Sequence, residues 1–410
     1  MNIPFDEKSR EEQLKEVVKK LHQGAQVKNL KHEFRYLLEH LSAEEVASME
    51  QSLVNEGFPV ESIQELCEIH VDVFEQALQK NFEEAQQDVH PVSVFKRENR
   101  ELETRLKEIK QIIKDLKKHG RDNSYATLLK KAEDLRNFEK HYLRKENQLF
   151  PKLEALGFTG PSSVMWGKHD EIRGAVKSFI NSARTKASLK VLKSDYSTAA
   201  RKMEKMIFME EKILFPTSLK KLSEEDWNQI RREEDEIGLA WIESYRQAEE
   251  IHQTQLPPSA SRVYNSEEEN MMSKPIQIPL DEGFLTQQQL DLMLRALPFD
   301  ITFVDEHDQV RYYSATDDRI FPRTPSIIGR DVKNCHPPKS VHIVEKIVQS
   351  FKSKERDSAE FWIQLQGKTV HIRYYPLFDA AGAYRGTIEI SQDITEIQNI
   401  EGERRLLDWE

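Results

Sequence analysis

The residues best suited to chemistry in this chain are histidines and carboxylates set into a repeated stretch. FEKHYLRKENQLFP, Phe138 to Pro151, aligns without a gap on MEKMIFMEEKILFP, Met203 to Pro216. Both copies carry Glu-Lys near the start, a carboxylate in the middle and Leu-Phe-Pro at the end, but His141 in the first is matched by Met206 in the second. A histidine with an acidic residue one turn away puts an imidazole and a carboxylate on one helix face, about 40° apart around the axis and about 6 Å along it. Facing helices can bring such pairs together in a bundle core, and mixed imidazole and carboxylate donors suit non-haem iron. Buried histidines and glutamates are costly alone, so one shared metal would account for several of them.

The elements that must position these residues are helices. Between residues 85 and 245 the pattern gives four long ones. His90-Pro91-Val92 opens the first, with Leu102, Leu106, Ile109, Ile113 and Leu116 at helical spacing. The second runs from about Ser124 to Leu156 and carries the first copy of the repeat. After a loop over Gly157 to Ser163, the third begins near Ser163 and holds His169, and the fourth carries the second copy. Amphipathic helices with short connections predict an antiparallel four-helix bundle. Ahead of it, residues 1–80 read as a small helical module of its own, with a capping-box start at Ser42 to Glu45 and a break at Gly57-Phe-Pro59. Residues 246–288 lack helical patterning and read as a linker. From residue 289 to about 400 the period switches. A hairpin over Ile301–Val304 and Val310–Tyr313 is followed by a helix from Ser340 to Phe351. Three further strands, Glu360–Leu365, Thr369–Pro376 and Gly386–Ser391, complete an α+β domain.

Several motifs carry a family resemblance. His141-Tyr-Leu-Arg-Lys-Glu146 with Leu149-Phe-Pro151 resembles the second-helix signature of hemerythrin-like (HHE) cation-binding domains, and His169-Asp-Glu-Ile-Arg173 their third-helix histidine motif. Met209-Glu-Glu-Lys-Ile-Leu-Phe-Pro216 resembles their fourth-helix ending, and His90 fits their first ligand. The resemblance implies a four-helix bundle around a carboxylate-bridged two-iron centre, with His90, His119, His141, Glu146, His169 and Glu210 as its candidate ligands. This chain departs from the pattern at Lys145, where the family has a carboxylate four residues after the histidine. Glu146, one residue later, lies about 140° from His141 and could ligate only through a rotated helix or a local bulge. Glu211 is expected to be a solvated or supporting carboxylate.

Residues 1–80 resemble the uncharacterised helical domain found ahead of hemerythrin-like domains in a group of bacterial proteins, through Leu21-His-Gln-Gly24, Glu56-Gly-Phe-Pro59 and Leu66-Cys-Glu-Ile-His70. Cys67 and His70 share a helix face, but two donors do not close a metal site, and packing is the expected role of Cys67. The last region resembles a PAS sensor domain, a fold with a five-stranded antiparallel sheet over a pocket. Its most specific local feature is Cys335-His336-Pro-Pro-Lys-Ser-Val-His342. His336 or His342, with Cys335, could hold haem through an axial bond, whereas the bland reading is a proline-shaped loop before a helix.

Composition bounds the function. Among 410 residues 32% are charged, and the net charge of −11 argues against a nucleic-acid partner. The first residues, MNIPFDEKSREEQ, lack the apolar run of a secretory signal, and no window approaches a membrane span. Two cysteines, Cys67 and Cys335, fit a cytoplasmic protein without a disulfide framework. The expectation is a cytoplasmic diiron sensor of dioxygen, nitric oxide or redox and iron state, signalling through its PAS domain to a protein partner, with a homodimer as one arrangement. An iron-handling, iron–sulfur repair or oxidase role is the alternative. A PAS haem sensor and a metal-free interaction scaffold are the remaining readings.

Overall fold

Capping and apolar spacing place most of the helices. The structure, a computed structural model, describes residues 7–22, 25, 29, 32–33, 37, 42–58, 63, 90–119, 122–242, 277–316, 319–365 and 367–403. Cys67, His70 and the part of the expected linker before residue 277 lie outside them. The chain divides into two compact units, one over residues 1–245 and one over most of 246–410.

The first unit is helical. It opens with α1 (Glu7–His22) and α2 (Ala43–Asn55), the latter started by the capping box that Ser42 and Glu45 form. The first bundle helix, α3 (Pro91–His119), buries Val92, Phe95, Leu102, Leu106, Ile109, Ile113 and Leu116 along one face. The second arm is not one uniform helix. It runs through α4 (Asp122–Asp134), a 3-10 turn (Leu135–Phe138), α5 (Glu139–Arg144), a π-helical turn (Lys145–Leu149) and α6 (Phe150–Ala155).

The third arm, α7 (Gly160–Arg184), starts three residues earlier than the sequence suggested, with Pro161 in its first turn where a missing N–H costs nothing. Its N-terminus is satisfied from outside: Gln51 Oε1, on α2, accepts from the Thr159 and Gly160 amides, each at 2.7 Å. Gly160 is required there, because a Cβ would lie 2.8 Å from the Gln51 Cα. The fourth arm is α8 (Leu189–Met209), capped by Ser188, then a second π-helical turn (Glu210–Leu214) and α9 (Phe215–Lys221). Short helices α10 (Glu224–Arg232) and α11 (Glu234–Ile237) follow.

The second unit holds a small hairpin, β1 (Gln277–Pro279) with β2 (Phe284–Thr286), then α12 (Gln287–Arg295), β3 (Asp300–Asp305), β4 (Val310–Tyr313), most of α13 (Pro338–Lys352), β5 (Ala359–Leu365), β6 (Lys368–Phe378) and β7 (Tyr384–Asp393). β3 to β7 form one five-stranded antiparallel sheet in the order β4-β3-β7-β6-β5. The fold class is the one the sequence implies, helical modules followed by an α+β domain.

Candidate metal centre

Two aromatic stacks fix the two inner imidazoles. His141, on α5, lies against Phe138 with ring centroids 4.4 Å apart, and His169, on α7, lies against Tyr142 at 4.3 Å. Both histidines have no exposed surface. Each is then tied at its outer nitrogen to a buried carboxylate. His141 Nδ1–H donates to Glu98 Oε2 at 2.8 Å, and His169 Nδ1–H donates to Glu146 Oε1 at 2.7 Å. That contact orients each ring and turns its Nε2 inward, the arrangement in which carboxylates support metal-binding histidines.

The inward atoms meet at Glu210 and Lys145. His141 Nε2 lies 3.1 Å from Glu210 Oε2, while Lys145 Nζ donates to His169 Nε2 at 2.9 Å and to Glu210 Oε1. Asn99 Nδ2 adds a 3.0 Å hydrogen bond to Glu210 Oε2. Both Lys145 and Glu210 are fully buried, and each begins one of the two π-helical turns. A π turn inserts one residue into a helix and re-aims the side chains around it, which is why such turns recur at functional sites.

Electrostatics balances this interior carboxylate by carboxylate. Glu98 also accepts from Arg144 Nη1 at 3.1 Å and from the Ala240 amide at 2.7 Å, and Arg144 reaches Glu234 at 2.9 Å. Glu146 pairs with Arg173 at 3.0 Å. Burial alone would raise the Glu210 carboxyl, but Lys145 and His141 outweigh it and hold it at about 2. Burial dominates at Glu146 instead, lifting it to about 7 against the pull of Arg173. Burial, then the charges of Lys145 and Arg173, push the His169 imidazole well below its usual range, so its Nε2 keeps a lone pair. Burial also lowers Lys145, opposed by Glu210 and Glu146.

Of the residues singled out in the sequence, the structure brings together His141, His169, Glu146 and Glu210. Glu146 is reached across a local π turn, as its spacing requires, but it holds the outer nitrogen of His169 rather than facing Glu210. His90 is not among them. It is half-buried, tilted against Trp227 at 4.7 Å, and its Nδ1 accepts from the Val92 amide, so it caps the start of α3. Burial lowers its imidazole as well. His119 is the last residue of α3. Further along the chain Cys335 is buried, His336 half-buried and His342 exposed on α13. Glu98, Arg144, Asn99 and the inward role of Lys145 were missed. Glu98 had one legible signal: three residues after Phe95 and four before Leu102, it lies on the apolar stripe of α3.

The donor set suits a cation in kind, since two imidazole Nε2 atoms and one carboxylate match the ligands of non-haem iron. The buried Tyr142 hydroxyl and Asn99 Oδ1 at its margin have no hydrogen-bond partner among the described residues. The donors do not stand open, however, because Lys145 Nζ lies on the inward atoms of His169 and Glu210. As they stand, no three His, Cys, Asp or Glu side chains among the described residues are arranged to hold a metal ion.

Comparison with known proteins divides the chain in the same order. Residues 14–80 match the model of a family of unknown function (DUF438), residues 90–218 that of the hemerythrin HHE cation binding domain, and residues 290–395 that of a PAS domain. The hemerythrin HHE domain implies a metal-binding site, typically for iron, and its combination with a PAS domain suggests a metal-binding sensor. Among solved structures, a C-terminal domain from Streptococcus mutans is 35% identical over 32% of this chain and 100% of that one, with a TM-score of 0.30. The PAS domain of Bordetella pertussis BvgS is 18% identical over 27% of this chain and 88% of that one, with a TM-score of 0.23. A PAS domain from Colwellia psychrerythraea is 15% identical over 27% and 97%, with a TM-score of 0.22. No curated protein matches the chain. Among the described residues, no helix is long and apolar enough to cross a membrane.

Proposed function

This chain is a hemerythrin-like protein with an N-terminal helical domain of unknown function and a C-terminal PAS domain, and from there we propose that it is a cytoplasmic metal-dependent sensor rather than an enzyme. The bundle receives the input, and the PAS domain passes it to a protein partner. His141 Nε2, His169 Nε2 and Glu210 would hold one non-haem iron ion, in place of the pair that the family resemblance led us to expect. Bound there, iron supplies a coordination position open to dioxygen or nitric oxide and a one-electron change of charge.

The chain's own residues prepare that position. Glu98 and Glu146 orient both imidazoles with Nε2 inward, and Phe138 and Tyr142 fix the ring planes. Full burial of His141, His169 and Glu210 keeps bulk water from the centre, so a charge that arrives there is felt strongly by the helices carrying them. The observation that carries the reading is the pair of buried, carboxylate-held imidazoles, one with its Nε2 on Glu210 and the other with its Nε2 on the Lys145 ammonium that also holds Glu210.

Anaerobic protein loaded with ferrous iron and exposed to nitric oxide tests it. An iron–nitrosyl signal that His169→Ala removes supports the assignment. Failure of the wild-type chain to retain iron ends it, and a Soret band would place the chemistry in haem instead. One observation favours the metal-free scaffold as a second reading: Glu98, Glu146 and Glu210 are already paired with Arg144, Arg173 and Lys145. Under that reading removal of metal leaves stability and partner binding unchanged.

A further inference from the structure

The position where the inward donors converge already holds a positive charge that belongs to the chain. Lys145 Nζ donates to His169 Nε2 at 2.9 Å and to Glu210 Oε1, and Glu210 Oε2 faces His141 Nε2 at 3.1 Å. These are the lone pairs through which His169 and Glu210 would bind a metal. One lone pair cannot serve an N–H donor and a metal ion at once. Two cations in one dry interior also repel strongly, because little solvent screens them.

We propose that Lys145 is a tethered counter-cation that occupies the donors of the metal-free chain, so that a metal ion enters only as the Lys145 side chain withdraws from the interior. This rests on the metal reading above and goes beyond it, naming the residue that sets how tightly the site takes a cation. The same residue accounts for one ion rather than two. At the place where the family resemblance leads one to expect a carboxylate, an anionic donor has been exchanged for a positive charge, so the donor set loses a ligand and gains a competitor.

Removing the ammonium has two opposite consequences. Without metal, Glu210 loses its principal neutralising partner, and the chain is less stable. With metal, the ion no longer displaces a bound cation, so it binds more tightly. A merely structural lysine gives the first effect without the second. A lysine that ligates metal through its neutral amine gives loss of binding instead.

The test is an anaerobic titration of the full-length wild type and of Lys145→Met with ferrous iron, paired with metal-free melting curves. The expected result is one iron per chain in both, bound at least about tenfold tighter by Lys145→Met, with the variant melting lower when metal-free. Equal affinity, or loss of iron from the variant, overturns the inference while leaving the metal site in place. Absence of iron binding from both overturns the inference together with the reading on which it rests. Should Lys145→Met fail to fold, the wild type decides alone through acetylation by an amine-reactive ester, read by peptide mass spectrometry. Lys145 is expected to be protected without metal and to be labelled once ferrous iron is bound. Unchanged protection with iron bound overturns the inference.

Discussion

Lys145 and Glu210 stand at equivalent positions in the two copies of the repeated helix ending, and they form an ion pair in the middle of the bundle. Each is the first residue of a π-helical turn, and each turn leads into Leu-Phe-Pro. The repeat therefore does more than end two helices alike. It aims two equivalent positions at each other, and the chain has put opposite charges there. Met206, which matches His141, stays an apolar core residue and leaves the nitrogen donors to α5 and α7.

The carboxylates behind the histidines should matter to metal affinity without touching the metal. Glu98→Gln is expected to weaken iron binding about 10- to 100-fold, the usual effect of removing a partner that orients a ligand histidine. It also leaves Arg144 with only Glu234, so the metal-free chain should lose about 3–5 kcal/mol, as when a buried ion pair is broken. Iron titration and a denaturant melt separate the two effects. An unchanged affinity would remove Glu98 from the account of the centre.

Two glutamates predict opposite pH responses. The Glu210 pKa falls from 4.5 to about 2 on folding, so it contributes stability above pH 4.5 that is lost as the pH drops toward 2. The Glu146 pKa rises from 4.5 to about 7, so the folded chain binds more protons between those values and its contribution declines as the pH climbs through them. Melting temperatures of metal-free protein across pH 4.5 to 7 should therefore fall less steeply in Glu146→Gln than in the wild type. Parallel profiles would show that Arg173 compensates Glu146 fully.

The contact of α2 with the start of α7 makes a separate prediction about the helical unit. Gly160→Val forces a side chain into the Gln51 backbone and should cost about 1–3 kcal/mol, the range for overpacking a tight contact. Gln51→Ala removes the acceptor shared by the Thr159 and Gly160 amides and should cost about 0.5–2 kcal/mol. Thermal melts of the full chain measure both, and neutral substitutions would mean that α2 does not brace α7.

Much of the architecture was legible because it follows from periodicity. The stripe from Leu102 to Leu116 gave α3, the Ser42–Glu45 box gave the start of α2, and a hairpin with three further strand-like runs gave the five-stranded sheet. The interior was harder to read because charge pairing joins residues far apart in the chain. Lys145 looked like a departure from a ligand pattern, and only the fold shows that it faces Glu210 and His169. Glu98 needed the knowledge that α3 packs against α5. His90 carried the right residue type in the right order, yet a histidine directly before a proline at a helix start can cap the helix with its ring nitrogen, and it does.

The central claim is that His141, His169 and Glu210 form one cation position inside the bundle, and counting iron tests it most directly. Full-length protein loaded anaerobically with ferrous iron and freed of excess should carry one iron per chain, and the double variant His141→Ala, His169→Ala should carry none. Two irons per chain, undiminished iron in the folded double variant, or no iron in the wild type would contradict it.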